Sequence, residues 1–367
     1  MKSGLPNFDR NVHCVLTLPF DALTLDEAVA NIRSSIQRRA PCFLSTPNLN
    51  FLIASQTNPE FRGSVGRTDL SLADGMPVIW LAKLMGIPIT QRVSGSDVFE
   101  ALRQSDGPLL KVYFFGGPPG IAQRAALQIN AESKGMLCVG FQSPGYGSVE
   151  EMSGVDTLQK INQSGADFLI VALGAVKGQS WIEHNLEALQ VPVVSHLGAV
   201  INFVAGGVKR APRWMQKTGL EWAWRILEEP ALWKRYRSDG MGLIKLLATS
   251  VTPFLYYKYL HRKSALRAIE VAIEWDNSEP TNIRLQGDAT LHCGAWLKSQ
   301  LRLVSPGIKK LTVRLIALSW IPSDFLGMIQ VIDSHGHISL QVLVDNVKPC
   351  VLQQLSLSGC RYVPVHI

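Results

Sequence analysis

Between about residue 12 and about residue 205, short apolar runs alternate with stretches whose apolar residues recur at helical spacing. CFLSTPN (42–48), DLSLADG (69–75), KVYFFGG (111–117), MLCVGF (136–141), ADFLIVALG (166–174) and VPVVSHLGA (191–199) each read as a strand running into a loop. Helix-like segments such as IAQRAALQINAES (121–133) and GQSWIEHNLEAL (178–189) lie between them. Nearly continuous apolar strands separated by helices predict an α/β fold, a mostly parallel sheet of Rossmann-like type flanked by helices. Several of the strands end in Gly, Asn or Asp, which gathers the polar loops at one edge of the sheet, where such folds keep their ligands.

The pattern then changes twice. Residues 206–264 are rich in Trp, Arg and Lys and read as a helical appendage ending in MGLIKLLATSVTPFLYYKYLHRKS (241–264). That stretch is apolar but carries Lys245, Pro253 and Lys258, so it predicts an interfacial or protein-packed helix, since a spanning one would bury two charges. From 265 to 367 the chain restarts with IEVAIEWDN and predicts a small α/β unit: NIRLQG, KKLTVRLIAL and SLQVLV are strand-like, DFLGMIQVIDSHG and VKPCVLQQLSLSG helix-like. The expected division is 1–205, 206–264 and 265–367, with no repeat of 20–50 residues.

Composition narrows the partners. Apolar residues make up 47% of 367, enough for more than one core, and a net charge of +7 points to an anionic partner: a nucleotide, a nucleic acid or an acidic membrane surface. The six cysteines are scattered without CxxC or Cys/His metal spacing, as in buried thiols of a cytosolic protein. MKSGLPNFDRNVHC lacks the continuous apolar stretch of a signal peptide, so a cytoplasmic location is expected.

Two stretches could carry chemistry. FFGGPPG (114–120) places Gly116 and Gly117 between a strand and a helix, where backbone N–H groups can approach a phosphate. It lacks both GxGxxG and the Walker Lys-Ser/Thr, so an ordinary turn explains it as well, and a dinucleotide oxidoreductase ranks last. In SLADGMP, Asp74-Gly75 is either a turn or a catalytic carboxylate at the sheet edge. No DxD pair or His/Asp cluster is spaced for a divalent ion, so neither a metal nor another cofactor is expected.

The order STPNLNF, SLADGMP, ITQRVSGSDVFEAL and GGVKRAPRWMQKTGLEWAWRILEEPALWKRYR resembles the WecG/TagA/CpsF family of glycosyltransferases over about residues 12–240. The resemblance implies metal-independent, inverting transfer of an N-acetylmannosamine-like sugar from a UDP-sugar to a polyprenyl-diphosphate-linked acceptor in surface-glycan assembly. It implies Asp74 as general base, Thr46 and Asn48 as partners of sugar hydroxyls, with Asn50 beside them, and Arg92 on phosphate. Gly116, Gly117, Gly174, Lys177, Gln179 and Gly198 would hold the nucleotide; Arg210, Arg213, Arg225, Arg235 and Arg237 would stabilise leaving-group and acceptor charge. The appendage, with Trp214, Trp222, Trp224, Trp233 and Tyr236 among its basic residues, would complete the site and hold the enzyme peripherally at the inner face of the plasma membrane; its tryptophans packing on the sheet is the simpler alternative. Nucleic acid is not an expected partner, and a homo-oligomer is left open.

The chain departs from the family at LGAVKGQSWI. Against a Gly-x-Pro-Lys-Gln-Glu pattern followed by Trp-Ile, it has Val176, Gly178 and Gln179 where Pro, Gln and Glu are expected. Gln179 could serve by a one-residue shift; a changed donor sugar or reduced activity would also fit. The C-terminal region resembles a STAS domain in RLQGDATLHCGAWLKSQL, LTVRLIALSWIPSDFLGMI and ISLQVLVDN, with no hydroxyl placed at the switch position of its Pro322–Gly327 turn. It is expected to be a docking or nucleotide-sensing module with a protein partner. A regulatory or scaffolding protein with altered catalysis is the alternative function.

Overall fold

The computed structural model describes residues 7–207, 210–260, 270–276, 279–286, 310–318, 320–336 and 338–365. Six strands, β3 (Cys42–Ser45), β4 (Leu70–Ser71), β5 (Leu110–Gly116), β6 (Met136–Gln142), β7 (Phe168–Ala172) and β8 (Val193–His196), form one sheet in the order β4-β3-β8-β7-β5-β6. Every neighbouring pair is parallel, as the apolar runs predicted. Successive side chains of a strand face opposite ways, and both faces here are dry. Val112 and Phe114 of β5 join Leu44 and Ile170 under the helices Gly95–Arg103, Ile121–Glu132 and Gly198–Val204. Tyr113 and Phe115 face the other layer, where Phe115 stacks on buried Trp181 of the helix Ala175–Asn185 at 4.4 Å.

Residues 12–21 stand apart from this sheet as an antiparallel hairpin, β1 (Val12–Val15) and β2 (Leu18–Asp21). Its alternation points two ways. Val12 and Cys14 enter the core of the C-terminal unit, while Val15, Leu16, Leu18 and Phe20 enter a core with Phe51, Phe61, Leu81 and Val251. Asp21 is buried and takes Arg10 through Nε at 3.1 Å and Nη2 at 2.7 Å, as well as the Ser71 N–H at 2.7 Å. Arg10 Nη1 donates to the Thr68 carbonyl at 2.5 Å, so a buried ion pair with its hydrogen bonds satisfied fastens the hairpin beside β4.

The appendage is helical. It runs through Arg213–Thr218, Glu221–Glu228 and Trp233–Leu246, passes a π-helical turn at Leu247–Val251, and ends in Thr252–Leu260. Leu246, Val251 and Phe254 are buried in the core that holds Phe51, Phe61 and Leu81, and Lys258 donates to the Met85 carbonyl at 2.8 Å. This face of the stretch is therefore protein-packed. Among the described residues no helix is long and apolar enough to cross a membrane.

The C-terminal unit contains a second sheet built from β9 (Glu270–Asp276), β10 (Glu279–Gln286), β11 (Lys310–Ile316), β12 (Ser339–Asp345) and β13 (Tyr362–Pro364), in the order β13-β12-β11-β10-β9. Only β9 is antiparallel to its neighbour. The helices Ser323–His335 and Pro349–Ser358 occupy the two helix-like stretches read from the sequence. Most of RLQGDATLHCGAWLKSQL lies outside the described residues. The helix Ser323–His335 lies on β1: His13 Nδ1 is 3.0 Å from Ser323 Oγ, and a Cβ at Gly327 would stand 2.9 Å from the Val12 oxygen. Backbone cannot yield as a flexible side chain can, so Gly327→Ala should cost about 1–3 kcal/mol in denaturant unfolding. An unchanged midpoint would show that this approach is not tight.

Candidate active site

The C-terminal edge of the six-stranded sheet is built from strand ends. After β3 the chain passes Thr46 to Asn48, whose Oδ1 caps the helix Leu49–Thr57 by accepting from the Asn50 and Phe51 N–H groups. After β4 comes Asp74, its N–H donating to the Pro47 carbonyl at 3.0 Å, and then Gly75 at φ +94° starts the helix Met76–Met85. After β5, Gly116 at φ +106° lies so close to β7 that a Cβ would be 2.5 Å from the Ala172 oxygen. This approach sets Gly117, which donates to that oxygen at 2.8 Å. Gly174 and Gly198 follow β7 and β8.

Two cavities meet over this edge. A polar one of about 360 Å³ is lined by Thr46, Gly117, Gly174, His196, Gly198 and Asn202. The other, also about 360 Å³, has the apolar walls of Met76, Pro77, Trp80, Trp222, Tyr236 and Leu243. Both are lined by Asn48, Asn50, Asp74, Glu221, Arg225 and Arg235. Asp74 thus stands where the two chambers join.

Charge at this junction is shared among acids and arginines. Arg92 donates through Nη1 to Glu221 Oε2 at 2.8 Å and through Nη2 to Asp97 Oδ2 at 2.9 Å and Gln216 Oε1 at 3.4 Å. Asp97 also takes the Ser94 hydroxyl at 2.6 Å and Arg210 at 2.5 Å. Burial alone would raise Asp97, but the Ser94 hydrogen bond and the Arg92 and Arg210 guanidiniums hold it below the usual carboxylate range. Asp74 goes the opposite way, to about 7: loss of water dominates, Arg92 and Arg225 only partly offset it, and Glu221 and Asp97 add to it.

Of the residues singled out in the sequence, Thr46, Asn48, Asp74, Gly117, Gly174, Gly198, Arg225 and Arg235 line one or both chambers. Gly116 sits behind Gly117. Arg92 borders the apolar chamber, yet its guanidinium is not open for phosphate: it ties the sheet edge to the appendage through two carboxylates. Lys177 turns away to the Gly147 carbonyl. Gln179 is fully buried between Ser45 Oγ and the Ser64 carbonyl, so the one-residue shift does not bring its amide to the chamber. Arg210 serves Asp97, and Arg237 is exposed, 5.3 Å from the centre of the Trp233 ring; neither lines a chamber. Arg213 begins the helix Arg213–Thr218, and its side chain lies outside the described residues.

Sequence reasoning missed Asp97, Glu221, His196 and Asp239, the last accepting from Asn50 Nδ2 at 3.1 Å. Asp97 alone had a local signal, Ser94 three residues before it at a helix start. Glu221 meets Arg92 across 129 positions of sequence, and no spacing rule reaches that far.

A parallel α/β sheet that holds a carboxylate titrating near 7 where a polar and an apolar chamber join can serve a group-transfer enzyme. The model of the glycosyl transferase WecG/TagA/CpsF family matches residues 13–253, and the chain belongs to that family; it is a glycosyltransferase. It is 29% identical over 197 residues to the N-acetylglucosaminyldiphosphoundecaprenol N-acetyl-beta-D-mannosaminyltransferase of Bacillus spizizenii, covering 53% of this chain and 75% of that protein. The protein of the same name from Bacillus subtilis is 28% identical over 205 residues, covering 55% and 78%.

A carboxyl raised on folding binds its proton more tightly in the native state than in the unfolded chain, so it lowers stability as pH rises from about 4 through about 7. Asp74→Asn should therefore raise Tm at pH 8, with a gain that shrinks as pH falls towards 4. A gain independent of pH, or none, would contradict the upward shift of the Asp74 carboxyl.

Proposed function

We propose that the enzyme transfers an N-acetylmannosamine-like sugar from a UDP-sugar to a polyprenyl-diphosphate-linked acceptor in surface-glycan assembly. The observation that carries this is the position of Asp74 at the meeting of the two chambers. The polar chamber, with Gly117, Gly174 and Gly198 at strand ends, takes the nucleotide and sugar; the apolar chamber, with Trp80, Trp222 and Tyr236, takes the lipid-linked acceptor. The two Bacillus relatives, whose names describe sugar transfer onto an undecaprenyl-diphosphate-linked sugar, support the same assignment.

In this reading one acceptor hydroxyl oxygen forms the new bond to the anomeric carbon as the bond from that carbon to the diphosphate breaks. Attack opposite the leaving group inverts the anomeric centre. Asp74, ionised, takes the hydroxyl proton, and a base titrating near 7 is matched to that task at neutral pH. UDP leaves with the bonding pair, and Arg225 and Arg235, which line both chambers, offset its charge without a metal. Thr46 and Asn48 border the sugar. The C-terminal unit is, in the same reading, a docking or sensing module joined to the catalytic region through β1.

The enzyme works peripherally at the inner face of the membrane, where the acceptor resides. Trp214, Ile244 and Tyr259 of the appendage are 60%, 67% and 75% exposed, large apolar side chains that suit a lipid surface. Replacing Ile244 and Tyr259 by Asp should weaken sedimentation with anionic vesicles and leave Tm near the wild-type value; undiminished sedimentation would remove these side chains from this role.

Transfer is tested with UDP-N-acetylmannosamine and a polyprenyl-diphosphate-linked N-acetylglucosamine. Asp74→Asn should lower kcat roughly 10²–10⁴-fold. The wild-type rate should fall as pH drops through about 7, because protonation removes the base. Transfer by Asp74→Asn at the wild-type rate would rule out the assigned role.

A further inference from the structure

The segment that departs from the family pattern lies on the helix Ala175–Asn185 and packs against His196, a wall of the polar chamber. Gly178 is buried, and a Cβ placed there would stand 2.1 Å from His196 Cδ2, so no side chain fits at 178 while the imidazole holds its position. On the other side, a Cβ at Gly198 would be 3.2 Å from His196 Nε2. The ring thus lies between Gly178 of the helix Ala175–Asn185 and Gly198 after β8, in a space that a side chain from 178 would otherwise enter.

His196 lines the polar chamber, and its buried Nε2 has no hydrogen-bonding partner among the described residues. A buried polar atom left unpaired costs free energy unless something supplies its partner. Burial also pushes the imidazole down to about 4, so the ring is neutral at physiological pH. A neutral ring is poorly suited to pairing with diphosphate charge. It suits a neutral hydroxyl or amide, which a sugar nucleotide carries on both its sugar and its base.

We infer that His196 is a specificity-determining residue for the donor: its imidazole hydrogen-bonds a hydroxyl or amide of the sugar nucleotide, in the place and in the role that glycine at 178 leaves vacant. The inference rests on the nucleotide-sugar reading of the polar chamber. It explains why Gly178 and the inward turn of Gln179 leave the chamber with a polar wall.

Titration calorimetry of the full chain with UDP and with UDP-N-acetylmannosamine tests it, together with thermal unfolding of each variant. His196→Phe keeps a planar ring and removes both nitrogens; it should raise the Kd for the UDP-sugar roughly tenfold at a retained Tm. Loss with UDP-sugar alone places the contact on the sugar, and equal loss with UDP places it on the nucleotide. Gly178→Gln alone should lower Tm and binding, and adding His196→Gly should restore both, because the two side chains compete for one space. Unchanged Kd in His196→Phe, or a double variant no better than Gly178→Gln, overturns the inference. If wild-type protein binds neither probe, the nucleotide-sugar reading itself fails and the inference with it.

Discussion

The cleft depends on one guanidinium held by two acids. Arg92 follows the helix that Asp74 precedes, and it reaches Asp97 in the first turn of the helix Gly95–Arg103 and Glu221 on the appendage. Its side chain is 13% exposed, so these bonds are shielded from water and are stronger than a surface pair of the same geometry. Through them the helix Glu221–Glu228 is tied to the sheet edge, and with it the wall shared by the two chambers. The same guanidinium is the main force opposing the upward shift of Asp74. The contact that anchors this wall therefore also tempers the protonation of Asp74, which loss of water sets first.

This arrangement gives the appendage two faces with different work. Its inner side brings Glu221, Arg225 and Arg235 over the strand ends and closes both chambers. Arg225 lies 5.1 Å from the centre of the Phe203 ring, and Arg235 is 3.8 Å from Asp239, so neither arginine hangs freely over the opening. Its outer side exposes Trp214, Trp233, Ile244 and Tyr259. An enzyme proposed to act on a lipid-linked acceptor would gain from this pairing, since Trp222 both lines the apolar chamber and is 48% exposed. The π-helical turn at Leu247–Val251 and the helix after it then return the chain to the protein core.

The parallel sheet was legible because both faces are buried, so its strands are short apolar runs that end in turn residues. Asp74, Gly117 and Gly174 were legible for the same reason: they are strand ends. What escaped was long-range. The hairpin at residues 12–21 carries no pattern that distinguishes it from a sheet strand, yet its two sets of side chains serve two cores. The direction of Gln179 was not legible, because its place on the helix Ala175–Asn185 turns the side chain inward, towards Ser45 and Ser64. The pairing of Arg92 with Glu221, and the exclusion between Gly178 and His196, join residues that only the folded chain brings together.

The central claim is that donor and acceptor meet at Asp74 from opposite chambers. A crystal structure with UDP and a short-chain polyprenyl-diphosphate-linked N-acetylglucosamine tests it most directly. The account predicts UDP against Gly117 and Gly174, the lipid chain against Trp80 and Trp222, and an acceptor hydroxyl about 3 Å from an Asp74 carboxylate oxygen. An acceptor bound elsewhere, or with every hydroxyl beyond hydrogen-bonding reach of Asp74 and no water between, would contradict it.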